Sequence, residues 1–309
     1  MTDNTNDLTI RPITGPEEVD LFNQIPYALN KEVAEDLAAG RRHPRWMWIA
    51  LRERVVARLA WWARAGRTEP MVMDFFDFED MSDGVRLLRE AMAKTLPADG
   101  PKPEYCRFVA PDWRDSPATR ETVEQRMSAL AQTGARLFVE RLRLEWTAGT
   151  PIAEPTGRLK FRSAGDREEL IELMAEVLDG TLDAYSRADL ARMTAAEAAA
   201  EQYESEFMTF TTPREWWKIA TLPDGEPVGF VIPARNAYNP IIAYIGVVPK
   251  HRGRGYIGEV LAEGVRTLAA QDVPRITAST DLGNVPMARA FERAGFVNFE
   301  RQIDMTWDS

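Results

Sequence analysis

Cysteine occurs once in the 309 residues, at Cys106, so neither an internal disulfide nor a thiolate metal cluster can form. That residue lies in the apolar run Tyr105 to Val109 and is expected to be a small core residue rather than a nucleophile. Histidine occurs twice, at His43 and His251, and an all-protein zinc site is not expected; no metal is implied. Basic charge is short as well: 38 Lys and Arg against 48 Asp and Glu give a net charge of −10 and a pI near 5.0. Such a balance argues against nucleic acid as a partner, which wants a basic surface, and is compatible with a cationic amine. No apolar run is long enough to span a membrane, and Met1 to Asp7 is polar and acidic, unlike a signal peptide. A cytoplasmic protein without a membrane partner is the expectation.

The length allows two domains of ordinary size, and the pattern along the chain supplies two. Leu8 to Pro12 alternates as a short strand and a helical segment begins near Pro16. Trp46 to Leu51 and Val55 to Trp62 read as two strands joined by a charged turn, and Met71 to Phe78 as another. A helix from Ser82, a strand from Tyr105 to Ala110 and a helix from about Ala118 to Gln132 follow. Gly134 then leads into a strand through Phe138, Leu142, Leu144 and Trp146. Thr147 to Arg158, with its prolines and glycines, reads as a linker.

After the linker the pattern restarts. Leu159 to Arg162 repeats the alternation of Leu8 to Arg11, and Trp216, Ile219 and Ala220 keep the spacing of Trp46, Ile49 and Ala50. Arg187 to Phe207 is expected to be one long helical region, and Pro223-Asp224-Gly225 marks a hairpin. Gly295, Phe299, Ile303, Met305 and Trp307 match Gly134, Phe138, Leu142, Leu144 and Trp146 position for position. The expected architecture is therefore α/β (α+β): two tandem copies, 1–150 and 151–309, each a mixed, mostly antiparallel central sheet flanked by helices.

One stretch carries chemistry. The apolar strand Ile241 to Val248 stops at Pro249, and Lys250-His251-Arg252-Gly253-Arg254-Gly255-Tyr256-Ile257-Gly258 leads into an amphipathic helix. Free backbone amides and the positive end of a helix dipole meet there, which suits a phosphate-bearing ligand. Gly253-x-Gly255-x-x-Gly258 formally spells a dinucleotide fingerprint, but only about fifty residues follow it, too few for that fold. A P-loop is excluded because no Gly-Lys-Ser/Thr follows the glycines.

The flanks favour another reading. Val247 to Gly255, as Val-x-Pro-x-x-Arg-Gly-x-Gly, resembles the acetyl-CoA loop of the GCN5-related N-acetyltransferases (GNAT superfamily). About thirty residues on, Asn284-x-x-Met287-x-x-x-Phe291-x-x-x-Gly295-Phe296 resembles that family's second signature, Asn-x-x-Ala-x-x-x-Tyr-x-x-x-Gly-Phe. The resemblance covers Leu159 to Trp307 and reaches the first half only through strand order and the repeat. It implies an acetyl-CoA-dependent N-acetyltransferase acting on a small-molecule or peptide amine. The implied cofactor residues are Val247, Val248, Arg252, Gly253, Arg254, Gly255, Tyr256, Ile257, Gly258, Asn284 and Phe291. Arg252 is expected on phosphate. Arg254 either joins it or, like Lys250, solvates the surface. Asn284 is read both as a cofactor contact and as a helix cap.

Two departures matter. Ile257 stands where the family usually has Gly or Ala, and Phe291 replaces the Tyr credited with protonating the leaving thiolate. Phenylalanine donates no proton, so water or another residue acts, or a thiolate with a pKa of about 8.5 leaves unaided. The strand before the loop offers no carboxylate, which leaves Tyr244, Asp281 and, by position, Asn284 as catalytic candidates. Asp179, Asp183 and Tyr185 are candidates for selecting a cationic amine, or are solvated helix ends.

The corresponding loop of the first half, Asp77 to Gly84, lacks Gly-x-Gly and carries four carboxylates, so coenzyme A would be repelled there. The first domain is expected to be degenerate, serving to shape the acceptor pocket, to cover the second sheet or to form a homodimer. Trp46, Trp48, Trp61 and Trp62 are either core or interface. The alternatives to an acyltransferase are a coenzyme A sensor or scaffold without turnover, and an NAD-dependent oxidoreductase.

Overall fold

The computed structural model describes residues 8–307, so the polar stretch 1–7 lies outside the described residues. The chain forms two compact units, 8–140 with 302–307, and 141–301. Unit 1 contains β1 (Thr9–Pro12), β2 (Met47–Leu51), β3 (Val55–Trp62), β4 (Val72–Phe78) and β5 (Glu104–Val109). Its helices are α1 (Val19–Phe22), α2 (Val33–Ala38), α3 (Met81–Thr95) and α4 (Pro117–Ala131). Strand β6 (Ala135–Thr147) begins in unit 1 and ends in unit 2.

Unit 2 continues with β7 (Lys160–Ser163), α5 (Arg167–Leu178), α6 (Ala184–Leu190) and α7 (Ala195–Ser205). Then come β8 (Lys218–Thr221), β9 (Pro227–Arg235), β10 (Pro240–Val247), α8 (Tyr256–Ala269), β11 (Arg275–Asp281) and α9 (Val285–Arg293). Strand β12 (Val297–Trp307) begins in unit 2 and ends in unit 1. The order of strands is β1-β2-β3-β4-β5-β12-β6 in unit 1 and β12-β6-β11-β10-β9-β8-β7 in unit 2. Each sheet is mixed and mostly antiparallel, its parallel pair being β4 with β5 or β10 with β11.

Period-two alternation divides the cores. In β2, Trp48 and Ala50 enter one apolar cluster and Met47 and Ile49 the other, so the unit 1 sheet is buried on both faces. In unit 2, Ala220 and Val231 face the cluster under α8, and Ile219, Phe230 and Ile232 face the cluster under α5 and α7. Trp46, Trp48 and Trp61 lie in the unit 1 core, as does the matched pair's second member Trp307, whose Nε1 donates to Thr133 Oγ1 at 3.1 Å. Cys106 is buried. Gly134 and Gly295 both hold positive φ, 92° and 84°, which explains why each copy has glycine at that step.

One expectation is corrected. The region Arg187 to Phe207 is not one helix but α6 and α7, broken at 191–194. Thr194 starts the second through a capping box with Glu197, each side chain taking the other's backbone amide, and that local chemistry stops α6 short.

Unit 1 also buries charge. Asp77 on β4 meets Arg58 on β3 at 2.9 Å, Arg107 on β5 at 2.9 Å and Arg126 on α4 at 2.9 Å. Burial pushes its carboxyl up, but Arg107, Arg58 and Arg126 more than offset this and hold it at about 2. Because the folded unit holds Asp77 more acidic than the unfolded chain does, its contribution is complete above about pH 4 and fades as pH falls toward about 2. Asp77→Asn is expected to cost about 3–5 kcal/mol at neutral pH. The gap in Tm between wild type and Asp77→Asn should narrow as pH falls from 5 to 2. A gap independent of pH in that window contradicts the assignment.

Candidate active site in the second unit

Strand β10 departs from its neighbours in a way its sequence explains. It pairs with β9 along its length, with a bulge at Ala243 between Ile242 and Tyr244. Against β11 it pairs, among the described residues, only at Ile241↔Thr277. Beyond that point the carboxyl ends of β10 and β11 part, leaving Tyr244 to Val247 facing a gap. The amide of Val248 donates to Val228 O on the β9 side at 2.9 Å. Since successive strand amides point to opposite edges, the Val247 amide faces the gap and Val248's does not.

The loop after β10 is built from glycine and held by arginine. Gly253 and Gly255 adopt φ of 76° and 79°, a region where a side chain costs about 1–2 kcal/mol. Gly255 is also the N-cap of α8 and offers no side-chain cap, so the first-turn amides of Tyr256 and Ile257 stay open, while that of Gly258 donates to Gly255 O at 3.3 Å. Ile257 packs partly against the core, which lets it stand where a small residue is usual. Arg252 turns inward: Nε donates to Val247 O at 3.0 Å, Nη2 to Val177 O at 2.7 Å and Nη1 to Asp179 O at 2.6 Å. It thereby ties the loop to the last carbonyls of α5, where a cation is favoured. Lys250 pairs with Glu226 at 2.9 Å. Arg254 has an exposed side chain with no protein partner among the described residues.

Arg158, at the end of the linker, reaches the same loop. Its Nη1 donates to Arg254 O at 3.1 Å, Nη2 pairs with Glu259 in the first turn of α8, and the guanidinium lies over Tyr256, 5.0 Å from the ring centroid. This neutralises the one acidic residue beside the open amides. Sequence reasoning passed over Arg158 because its partner is 101 residues away.

A second cluster gathers at the gap's other side. Asp281, closing β11, is 3% exposed and accepts from the Ala184 amide at 2.6 Å. Its Oδ1 lies 3.1 Å from Arg141 Nε. Asp183 caps α6, accepting from Ser186 N at 2.8 Å and Ser186 Oγ at 3.0 Å, and its Oδ2 lies 3.5 Å from Arg141. Burial, then the charge of Asp183, push the Asp281 carboxyl above its ordinary range. Tyr244 hydrogen-bonds with Ser186, and burial followed by the Asp183 charge pushes its phenol well up, keeping it neutral. Its ring stacks on Phe230 at 5.4 Å. The side chain of Asp183 is 29% exposed, so of the two carboxylates it is the one a ligand reaches. Arg141 comes to Asp281 only through the β6–β11 register, Asp281↔Arg141.

Of the remaining candidates, Asn284 adjoins the cluster through its amide, which donates to Asp281 O at 2.9 Å. Asn284 caps α9, its side chain accepting from Met287 N at 3.4 Å. Phe291 is buried and packs edge-on against Phe296 at 5.0 Å. Tyr185 lies by Arg141, whose guanidinium is 5.6 Å from its ring centroid. No group of metal-ligating side chains occurs among the described residues, and none of their helices is long and apolar enough to cross a membrane.

The model of the acetyltransferase (GNAT) domain family matches residues 158–297, which contain the loop, the gap and most of the acidic cluster. No curated protein matches the chain in sequence. Among solved structures it is similar to a GCN5-related N-acetyltransferase from Sphaerobacter thermophilus, at 16% identity and a TM-score of 0.59, over 96% of this chain and 94% of that one. It is also similar to a tandem GNAT protein from the clavulanic acid biosynthesis pathway, at 16% identity and a TM-score of 0.54, over 97% and 98% of the two chains. A GCN5-related N-acetyltransferase from Kribbella flavida gives 11% identity and a TM-score of 0.52, over 96% of each chain. At such identities the likeness is one of fold, and the fold is that of tandem GNAT proteins.

The gap depends on a close contact beneath it. A Cβ on Gly246 would sit 2.3 Å from Val177 Cγ1, on the last turn of α5. Gly246→Ala is expected to destabilise the chain by about 1–3 kcal/mol, as overpacking does. Adding Val177→Ala should recover part of that loss, a coupling read by chemical denaturation of the four-member cycle. Strictly additive effects contradict the contact.

Proposed function

The chain carries a GNAT acetyltransferase domain at residues 158–297 on a tandem GNAT fold, and from that premise we propose that it is an acetyl-CoA-dependent N-acetyltransferase with one cofactor site, in unit 2. The observation that carries the reading is the amino end of α8. It has two left-handed glycines, no side-chain cap and a neighbouring strand gap. In unit 1 the matching helix α3 is closed by Asp80, whose carboxylate accepts from Ser82 N and Asp83 N. One helix end is open to an anion, and the other already holds one.

Each residue then has a role. The coenzyme A pyrophosphate lies on the amides from Gly253 to Ile257, and Arg254, the loop arginine without a partner among the described residues, supplies the charge. Arg252 acts indirectly, holding the loop on α5. The Val247 amide faces the thioester oxygen as negative charge develops there. Asn284 positions α9, and Phe291 supports the core beneath the site. The acceptor is a small-molecule or peptide amine drawn to Asp183 and Asp281. Its nitrogen attacks the thioester carbonyl, the C–N bond forms, the C–S bond breaks, and the thiolate leaves. Asp183, reached directly or through water, takes the amine proton, and much of the acceleration comes from alignment of the two reactants. No side chain replaces the missing tyrosine acid, so the thiolate departs unprotonated or takes its proton from water.

A second reading, a coenzyme A-binding sensor without turnover, is favoured by Phe291 standing where the proton donor is expected. A thiol-release assay over a panel of amines separates the two. Acceptor-dependent release of coenzyme A is expected, with kcat/KM lowered by about 10²–10⁴ in Asp183→Asn. Binding of acetyl-CoA with no release against any amine supports the sensor and contradicts the enzyme.

A further inference from the structure

Large apolar side chains exposed one at a time are ordinary on a protein surface, whereas several gathered beside a polar site mark a binding face. Unit 2 carries such a group. Of its well-exposed large apolar side chains among the described residues, half stand in the two segments that meet at the acidic cluster. These are Leu182, Leu282 and Val285, each between 42% and 47% exposed. The bond from the Ala184 amide to Asp281 Oδ2, at 2.6 Å, joins the two segments. Leu182 precedes Asp183, Leu282 follows Asp281, and Val285 opens α9.

The backbone holds these side chains where they are. Asn284 N donates to Asp281 O at 2.9 Å and closes a tight turn around Leu282 and Gly283. A Cβ on Gly283 would meet no atom within 4 Å, so the space beside that turn is open. In the other segment, Thr181 N donates to Leu178 O at 3.1 Å and Thr181 Oγ1 accepts the Asp183 amide at 3.2 Å. Leu182 O accepts from Arg187 Nη1 at 3.2 Å. Three apolar groups are thus kept in water by fixed turns, and a ligand that covered them would recover their burial.

Charge on these segments is confined to the cluster. Neither Gly180 to Leu182 nor Leu282 to Ala288 contains a charged residue. Arg141 is shared by Asp281 and Asp183, and Arg187 is engaged at Leu182 O. Asp179, the other carboxylate of the turn after α5, has the Arg252 guanidinium at its own carbonyl.

We propose that the acceptor is a small monoamine on an apolar body, of the alkylamine or arylalkylamine class. Its nitrogen lies at Asp183 and its hydrocarbon on Leu182, Leu282 and Val285. This rests on the reading of unit 2 as an N-acetyltransferase and narrows its acceptor to an amine with one charge. A second charged group on the body, as in a diamine or an amino acid, would lose water against these side chains without gaining a partner.

The test measures two things on the full chain. One is coenzyme A release from acetyl-CoA, and the other is amine binding by titration calorimetry in the presence of coenzyme A. The probes are butylamine, pentylamine, hexylamine, 2-phenylethylamine, cadaverine and lysine. Each added methylene should raise kcat/KM and affinity by about two- to fourfold. Cadaverine should fall about tenfold or more below pentylamine, which has the same carbon chain. The double variant Leu182→Asn with Leu282→Asn changes exposed positions and should keep its fold by circular dichroism. It should lose the dependence on chain length and still bind acetyl-CoA as the wild type does. Binding that grows with chain length, without release, upholds this acceptor face and contradicts the enzyme reading. Release as fast with cadaverine or lysine as with pentylamine upholds the enzyme reading and overturns the proposal. Neither binding nor release with any of these amines overturns it too. So does a double variant whose only loss is in acetyl-CoA affinity, which would assign the apolar groups to the cofactor's arm.

Discussion

The parting of β10 from β11 is the constraint on which unit 2 depends. A parallel pair that kept its ladder would consume the Val247 amide and close the floor of the site. Three features prevent this. The bulge at Ala243 turns the strand, Gly246 lets Val177 approach where any side chain would collide, and Arg252 pins the following loop to the carbonyl end of α5. Helix α8 then starts with its amides uncovered because Gly255, in the left-handed region, brings no side chain to cap them. Backbone geometry, rather than side-chain charge, leaves this helix end open.

Unit 1 repeats the backbone device and reaches a different end. Its parallel strands also part, but Asp77 stands on β4 next to three arginines, and Asp80 caps the following helix. A carboxylate in each place turns an open site into a closed one. The buried ion group is not an efficient source of stability, since desolvating so many charges costs several kcal/mol per ion.

Much of this was legible in the chain. The glycine loop, its flanks and the second signature identified the strand, turn and helix of unit 2, because positive φ and uncovered amides demand glycine at Gly253 and Gly255. The matched Gly134 and Gly295 revealed the repeat for the same reason. What stayed hidden was partnership across long separations. The contacts of Arg252 with α5 are of this kind, the carbonyl of Asp179 lying 73 residues away in sequence. Arg141 and Asp281 become neighbours only through strand register. The crossing of β6 and β12 between units also leaves no mark in periodicity, which records faces and not neighbours.

The central claim is that the two units share a fold and differ in whether the strand gap and helix end are open. Stoichiometry of acetyl-CoA binding, measured by titration calorimetry on the full chain, tests it most directly. The account predicts one molecule per chain, with binding lost in Gly255→Glu. Two molecules per chain, or one that survives Gly255→Glu unchanged, would contradict it.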